Sequence, residues 1–247
     1  MNKEDIEKLS NIIKNSDNIV FFSGAGISTK SNIPDFRSAE GIYNQELDIN
    51  YAPEYLLSRT FFNENPDFFS RYYKEKLINT DAKPNDAHKV VAKLEEMGKV
   101  KAVITQNIDN LHQMAGSKNV IEIHGTLSRH YCIDCNKQFP MEYVLRDIGL
   151  SRCDECGGVI RPDVVLYEEA LDQEALEKSV DYVMRADTLI VVGSSLIVYP
   201  AAGLVRYFKG DNLVIINMDD TKYDKIADLV FHEDISDVLS LAMNYEK

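Results

Sequence analysis

No stretch of this 247-residue chain comes near the roughly 18 consecutive apolar residues of a membrane-crossing helix, which argues against an integral membrane protein. The first nine residues, Met1 to Leu9, mix acids with bases and contain no apolar signal core, so secretion is not expected and a cytoplasmic location is. Basic charge is in short supply. Lys and Arg number 27 against 40 Asp and Glu, a net charge of −13, and this argues against unaided binding of nucleic-acid phosphates. The acidic surplus instead suits a basic, Lys-rich polypeptide partner. Internal repeats and low-complexity linkers are missing too. Cysteine is absent everywhere except between Cys132 and Cys156, where all four occur. What remains, 45% hydrophobic and 27% charged residues, is ordinary for a globular protein of one large domain, or of a large part carrying a small one.

Periodicity organises that material. Ile6, Leu9, Ile12 and Ile13 share a face over residues 4–15, an amphipathic helix ahead of an apolar strand at Ile19 to Phe22. Residues 53–79 look helical but irregular, rich in aromatics and interrupted by Pro66. A clearer helix spans Asn85 to Met97, with Gly98 as its stop, and is followed by a strand at Val100 to Thr105. A short helix ending near Gly116 and an apolar segment at Val120 to Ile123 come next. Beyond a cysteine section at about Arg129 to Arg161, the pattern reads strand Val164 to Tyr167, helix Gln173 to Arg185, strand Thr188 to Val192, helix Ala201 to Phe208 and strand Leu213 to Asn217. Strands alternating with helices imply an α/β fold: a Rossmann-like parallel sheet with helices on both faces, plus a small inserted zinc-binding module. The larger part is expected from about residues 1–30, 80–128 and 162–247. The smaller part would combine a helical insert, about 31–79, with the cysteine module, about 129–161.

Cys132-x-x-Cys135 and Cys153-x-x-Cys156 are two knuckles 17 residues apart, able to present four thiolates tetrahedrally to one Zn(II). Redox dithiols or two disulfides are the alternative reading. Four cysteine ligands leave no position for water, so such a metal is structural. Where strands end, the chain places small and polar residues. Gly24-Ala25-Gly26 lets backbone N–H groups approach a pyrophosphate, although Thr29 replaces the third glycine of the dinucleotide fingerprint. Gln106-Asn107-Ile108-Asp109 sits where a strand meets a helix, and Asp109 taken alone reads as a helix cap. Gly193-Ser194-Ser195 and Asn217-Met218-Asp219 close two further strands and could face a phosphate or a ribose. His124 ends an apolar run directly before Gly125; a neutral imidazole titrates close to the working pH of a general base.

Taken together and in order, these strings resemble the sirtuins, the NAD-dependent protein-lysine deacylases. Phe21 to Ser38 is similar to that family's G-A-G-x-S followed by G-I-P-D-F-R-S, with Asn32 where the family has Gly. Thr105 to His112 matches T-Q-N-I-D-x-L-H, His124-Gly125 matches its H-G, and Gly193 to Pro200 matches G-S-S-L-x-V-x-P. Val164 to Glu169 resembles V-V-x-F-G-E, with Tyr167 for Phe and Glu168 for Gly. The resemblance implies NAD as a consumed co-substrate, transfer of the acetyl group of acetyl-lysine to ADP-ribose, and release of nicotinamide. It implies His124 as general base, with Asn107 and Asp109 as catalytic positioning groups. Asn107 would serve the ribose, while Asp109 and Ile108 would grip the nicotinamide carboxamide. Gly24, Ala25, Gly26, Thr29, Gln106, Gly193, Ser194 and Ser195 would lie along the cofactor. Asp35, Phe36 and Arg37 would order and screen its loop, and Asn217, Met218 and Asp219 would hold the adenosine ribose. Val165, Tyr167, Phe69 and Tyr72 would face the substrate.

Sirtuins that prefer succinyl- or malonyl-lysine carry Tyr-x-x-Arg in the helix corresponding to residues 66–76. Here the register gives Phe69 and Tyr72, or Phe68 and Arg71 when shifted by one. Acetyl and longer apolar acyl groups are therefore expected, acting on acetyl-lysine proteins or peptides, with the enzyme a monomer that needs neither nucleic acid nor membrane. Mono-ADP-ribosyl transfer to protein is the nearest rival activity; a nicotinamide dehydrogenase and a non-enzymatic zinc module are more distant ones.

Overall fold

A computed structural model describes residues 1–36, 41 and 51–244; Arg37 lies outside the described residues. In chain order the first half holds α1 (Lys3–Asn15), β1 (Ile19–Ser23), a 3-10 turn (Ala25–Ser31), α2 (Pro53–Leu56), α3 (Arg59–Glu64), α4 (Pro66–Lys76), α5 (Asp86–Glu96), β2 (Val100–Thr105), α6 (Leu111–Met114) and β3 (Val120–Glu122). The cysteine region contributes β4 (Gly125–Cys132), β5 (Gln138–Pro140), α7 (Met141–Val144) and β6 (Ile160–Val164). Then follow α8 (Gln173–Arg185), β7 (Thr188–Val192), a 3-10 segment (Ala201–Tyr207), β8 (Asn212–Ile216), β9 (Leu229–Phe231) and α9 (Ile235–Met243). Among the described residues no helix is long and apolar enough to cross a membrane.

Strands as apolar as β1 and β7 need cover on both faces, and a parallel sheet provides it. Six strands lie in the order β3-β2-β1-β7-β8-β9, every neighbouring pair parallel. The alternation of side chains sorts each strand between two cores. Ile19 and Phe21 join Leu9, Val91 and Leu239 from α1, α5 and α9; Val20 and Phe22 join Val183 of α8 and Ala201 and Val205 beyond β7. Asn85 starts α5 by accepting the N–H groups of Ala87 and His88, and Asp172 starts α8 by accepting that of Ala175. The strand order reverses between β1 and β7, which opens a crevice at their carboxyl ends.

The smaller part is differently made. β5, β4 and β6 form an antiparallel sheet around Cys132, Phe139, Val144, Cys153 and Ile160. The aromatic residues of α2 to α4 make a third cluster, with Phe61, Phe62, Phe69, Tyr72 and Tyr73 packed on Leu127 and Leu166. Lys74 ties the two together: its Nζ donates to the carbonyls of Asp147 (3.0 Å) and Gly149 (2.7 Å) and to Ser151 Oγ (2.9 Å).

Three sequence expectations change, and two elements go unforeseen. The strand expected at Val164 to Tyr167 instead ends at Val164 and runs antiparallel to β4. Beyond it, the N–H groups of Val165 and Tyr167 bond to His124 O and Leu57 O, outside any sheet ladder. The polar Arg161 and Asp163 hide this strand in the sequence. Pro66 does not interrupt a helix but opens α4, at a position whose N–H has no helical partner anyway. The segment Ala201–Tyr207 is 3-10, its first turns closing from Gly203 N–H to Pro200 O. Finally, β9 and α9 carried no expectation at all; a three-residue strand is too short for its pattern to stand out.

Candidate active site

Four of the parallel strands end in the same crevice. β1 delivers Gly24, Ala25 and Gly26, β2 delivers Gln106 to Asp109, β7 delivers Gly193 to Ser195, and β8 delivers Asn217 to Asp219. With Thr29, Asp35, Phe36 and His124 they line one cleft of about 380 Å³, within the range of small-molecule sites. The β1 and β7 loops touch through their glycines. Gly26 N–H donates to Gly193 O at 2.9 Å, and a Cβ on Gly26 would lie 2.7 Å from Gly193 Cα. Gly193 itself has φ +60°, which favours glycine. Gln106 Nε2 donates to Ser194 Oγ (2.7 Å) across the same crevice. Small side chains and amide or hydroxyl groups at the carboxyl ends of parallel strands suit a dinucleotide's phosphates and riboses.

A hydrogen-bonded chain runs along the floor. Asn107 Nδ2 donates to Ser28 Oγ (3.1 Å), and Ser28 Oγ donates to Asp109 Oδ2 (2.6 Å). The other Asp109 oxygen accepts Leu111 N–H (2.9 Å) at the start of α6, so this side chain both caps a helix and lines the cleft. Burial pushes the Asp109 pKa up, against the opposing pull of the Ser28 and Leu111 donors. Ser28 was not among the candidates read from sequence. Its signal was its place in the G-A-G-x-S string.

His124 lies on the link between β3 and β4. Its Nδ1 is 3.0 Å from Gln106 O, and because a carbonyl only accepts, Nδ1 carries the proton and Nε2 keeps its lone pair. Burial lowers the His124 pKa, with the Gln106 carbonyl opposing, so the imidazole is neutral at pH 7. Gly125 follows with φ +74°, and a Cβ there would collide with the Asp163 carbonyl oxygen, which accounts for the His-Gly pairing. The remaining histidines lie outside the cleft. His88 and His112 are buried, 4.9 Å apart, with pKa values pushed down to about 4 and about 3 by burial; His112 Nε2 meets Ser23 Oγ at 2.9 Å. His130 is buried beside Tyr73, and His232 is at the surface near Asp220 and Asp224.

The apolar wall of the cleft comes from Leu57, Leu77, Ile108, Val164, Val165, Leu166 and Tyr167. Phe69 and Tyr72 lie behind this wall, 1% and 4% exposed, rather than on its surface. Arg71 is paired with Asp67 (2.7 Å) at the surface; the cation that α4 does bring to the cleft is Lys76, beside Glu75. Glu169 is held by Arg161 through two bonds, NH1 to Oε1 (2.7 Å) and NH2 to Oε2 (2.9 Å), and also accepts Leu166 N–H (2.9 Å). Burial raises the Glu169 pKa, but these donors outweigh it and leave the group below the ordinary carboxylate range.

Away from the cleft, the four cysteine sulfurs lie within 4.8 Å of one another, Cys132 and Cys156 3.5 Å apart and Cys135 and Cys153 3.6 Å. Sulfurs bound tetrahedrally at about 2.3 Å from one zinc lie about 3.8 Å apart, so the set is suited to Zn(II). None is disulfide-bonded.

The Sir2 family model matches residues 24–200. The chain is 55% identical to an NAD-dependent protein deacetylase of Clostridium perfringens over 237 residues, 96% of this chain and 97% of that one. It is 51% identical to an NAD-dependent protein deacetylase of Staphylococcus epidermidis over 244 residues, 99% of each. Among solved structures, a Sir2 with a p53 peptide and NAD+ matches with a TM-score of 0.84 at 41% identity, covering 96% of this chain and 97% of that one. A Sir2 with a deacetylated p53 peptide and 3′-O-acetyl ADP-ribose matches with a TM-score of 0.88, again at 41% identity and with the same coverage.

Proposed function

The chain belongs to the Sir2 family, and we propose on that premise that it removes acetyl groups from protein lysines, with nicotinamide and O-acetyl-ADP-ribose as the other products. The observation that carries this reading is His124: a neutral ring, fixed by Gln106 O through Nδ1, that offers an Nε2 lone pair to the cleft. NAD, when bound, supplies an electrophilic ribose carbon with nicotinamide as its leaving group. Every other requirement falls on the chain. Asn107 and Asp109, held through Ser28, fix the nicotinamide side. Gly24, Ala25, Gly26, Gly193, Ser194 and Ser195 would cradle the diphosphate, with Thr29 beside it, Asp35 ordering the cofactor loop and Phe36 screening the site. Asn217, Met218 and Asp219 hold the far ribose. With NAD bound, His124 Nε2 would take up a proton from a ribose hydroxyl. The apolar wall, with Val165 and Tyr167, excludes water from the acyl group and favours acetyl and longer apolar acyls.

Cys132, Cys135, Cys153 and Cys156 would hold one zinc whose role is to shape the small sheet. We place the enzyme in a reducing cytoplasm, supported by its four unbridged thiols. We take it as a monomer, since one chain completes the site. Its net charge of −13 supports a protein rather than a nucleic-acid partner. Mass spectrometry of an acetyl-lysine peptide incubated with NAD is the test. Acetyl loss coupled to nicotinamide and O-acetyl-ADP-ribose, abolished in His124→Ala, is expected. NAD consumption with the peptide still acetylated would replace the proposal with ADP-ribosyl transfer.

A further inference from the structure

Beside the cleft, two cations converge on one phenol. Arg206, in the 3-10 segment Ala201–Tyr207, places NH2 3.3 Å from Tyr199 OH, and Lys222 Nζ bonds the same hydroxyl while lying 4.3 Å from the centre of the ring. Both cations are exposed. Among the described residues neither makes an ion pair with a carboxylate, although acids outnumber bases 40 to 27 and cations such as Lys30, Lys99 and Arg129 are all paired. The acids next to Lys222 are engaged elsewhere: Asp224 accepts from Thr221 and lies 3.4 Å from His232 Nε2, and Asp220 lies 3.3 Å from the same nitrogen. Arg206 and Lys222 thus meet at one hydroxyl with no carboxylate bonded to either among the described residues. The Lys222 hydrogen bond, helped by the Arg206 charge and opposed by desolvation, pulls the Tyr199 pKa below the ordinary phenol value.

This cluster adjoins the cleft. Val198, Tyr199 and Pro200 line it, and Tyr199 is 51% exposed. The segment leading to Tyr199 is bare backbone: among the described residues, the N–H groups of Ile197 and Val198 have no backbone partner. An extended peptide can pair with such an edge and send alternate side chains outward. We infer that Arg206, Lys222 and the Tyr199 hydroxyl form a subsite for an acidic side chain flanking the acetyl-lysine of the substrate. The inference rests on the deacetylase reading above. The subsite runs against the charge of the whole chain, which by itself would select basic partners.

Exposed charge pairs act mostly on affinity and are screened by salt, so the effect falls on KM. The experiment compares kcat and KM for acetyl-lysine peptides carrying Glu, Gln or Lys at successive positions on either side of the acetyl-lysine. For the wild type, one position shows kcat/KM about fivefold higher for Glu than for Gln, through KM and reduced by added salt. In the double variant Arg206→Gln/Lys222→Gln that ratio falls to about one, and in Lys222→Glu the Lys peptide overtakes the Glu peptide. Deacetylation of all peptides with no Glu preference at any position, or a preference that survives both variants, overturns the subsite and leaves the deacetylase intact. If no peptide is deacetylated, the deacetylase reading falls and the subsite with it.

Discussion

The two halves of this molecule are held by different physics. Among the described residues, the parallel sheet carries two cores of twenty-two and eighteen buried residues, each drawn from several helices and strands. The antiparallel sheet has five, two of them cysteines. At about 25 cal/mol for each Å² of apolar surface buried, the first is self-sufficient and the second is too small to offset the entropy of ordering its loops. Four thiolates on one metal supply what apolar burial does not, and Lys74 and Arg161 fasten the result to the cleft. The active site is built on the seam: its glycines, amides and imidazole ride on the self-sufficient half, while Val164 to Glu169 are positioned by the dependent one.

Zinc removal should separate the halves most sharply. A chelator, or Cys153→Ser, is expected to abolish deacetylation while leaving most far-UV helical signal, with metal analysis giving one zinc per active chain and none in the variant. A zinc-free protein with unaltered peptide turnover would erase the distinction drawn here. Replacing His124 by Ala should do the reverse. A general base contributes about a hundredfold or more, so kcat/KM falls by at least that, with the melting temperature unmoved because neither core is touched. In the wild type, the acid limb of the rate profile should lie below the ordinary histidine value of about 6.5, as burial lowers the His124 pKa.

The buried histidines give a graded comparison. His88 and His112 in the larger half are pushed down to about 4 and about 3, and His130 in the smaller half to about 4, all by burial first. Each binds its proton more weakly in the folded state than at the ordinary value of 6.5, so the unfolded chain takes up protons first as pH falls. The stability they contribute is whole above pH 6.5 and is lost from there toward pH 4. Urea midpoints measured across that window should drop steadily. His130→Phe, which keeps an aromatic ring against Tyr73, should reduce the slope by about one proton, or about 1.4 kcal/mol per pH unit. An unchanged slope would mean that His130 titrates normally.

How much of this was legible in the sequence follows the same division. β1, β2, β7 and α8 announce themselves because burial on two faces, or on one helical stripe, imposes a period on the residues. Gly26, Asn107, Gly193 and Asn217, far apart in sequence, each follow an apolar strand, which the pattern makes legible; that they face one cofactor rested on the resemblance to the sirtuin strings. The small sheet was illegible. β4 carries Ser128 and Arg129 in mid-strand, and β6 reads Ile-Arg-Pro-Asp-Val, since the metal rather than an apolar face holds them. Phe69 and Tyr72 misled for a related reason: an aromatic run marks a core, but only the packing of α4 says which side of the cleft wall it occupies. Arg161 looks like a linker residue in sequence, yet it is 7% exposed and bonded to Glu169. Arg161→Met should leave that half-buried carboxylate without its cation, at about 2–3 kcal/mol in a urea melt. That lies toward the low end for a broken buried pair because Glu169 keeps some solvent.

The smallest expected effect concerns two of the three places where the chain departs from the family strings, those where the family has glycine. Asn32 and Glu168 stand where glycine is expected, and both take left-handed backbone, with φ of +60° and +73°. Asn tolerates that conformation, so Asn32→Gly should change stability by no more than about 0.5 kcal/mol. Glu168 bears a strain of about 1 kcal/mol, but its Oε2 accepts Thr60 N–H (3.0 Å) and Thr60 Oγ1 (2.7 Å) at the start of α3. Glycine at 168 relieves the strain and loses both bonds, while alanine keeps the strain and loses both bonds. Glu168→Gly should therefore be near neutral, and Glu168→Ala should be the less stable of the two by about 1 kcal/mol in urea midpoints. If the two variants melt alike, the backbone at 168 relaxes freely. The Thr60 bonds would then be the whole of what that residue contributes to this edge of the cleft.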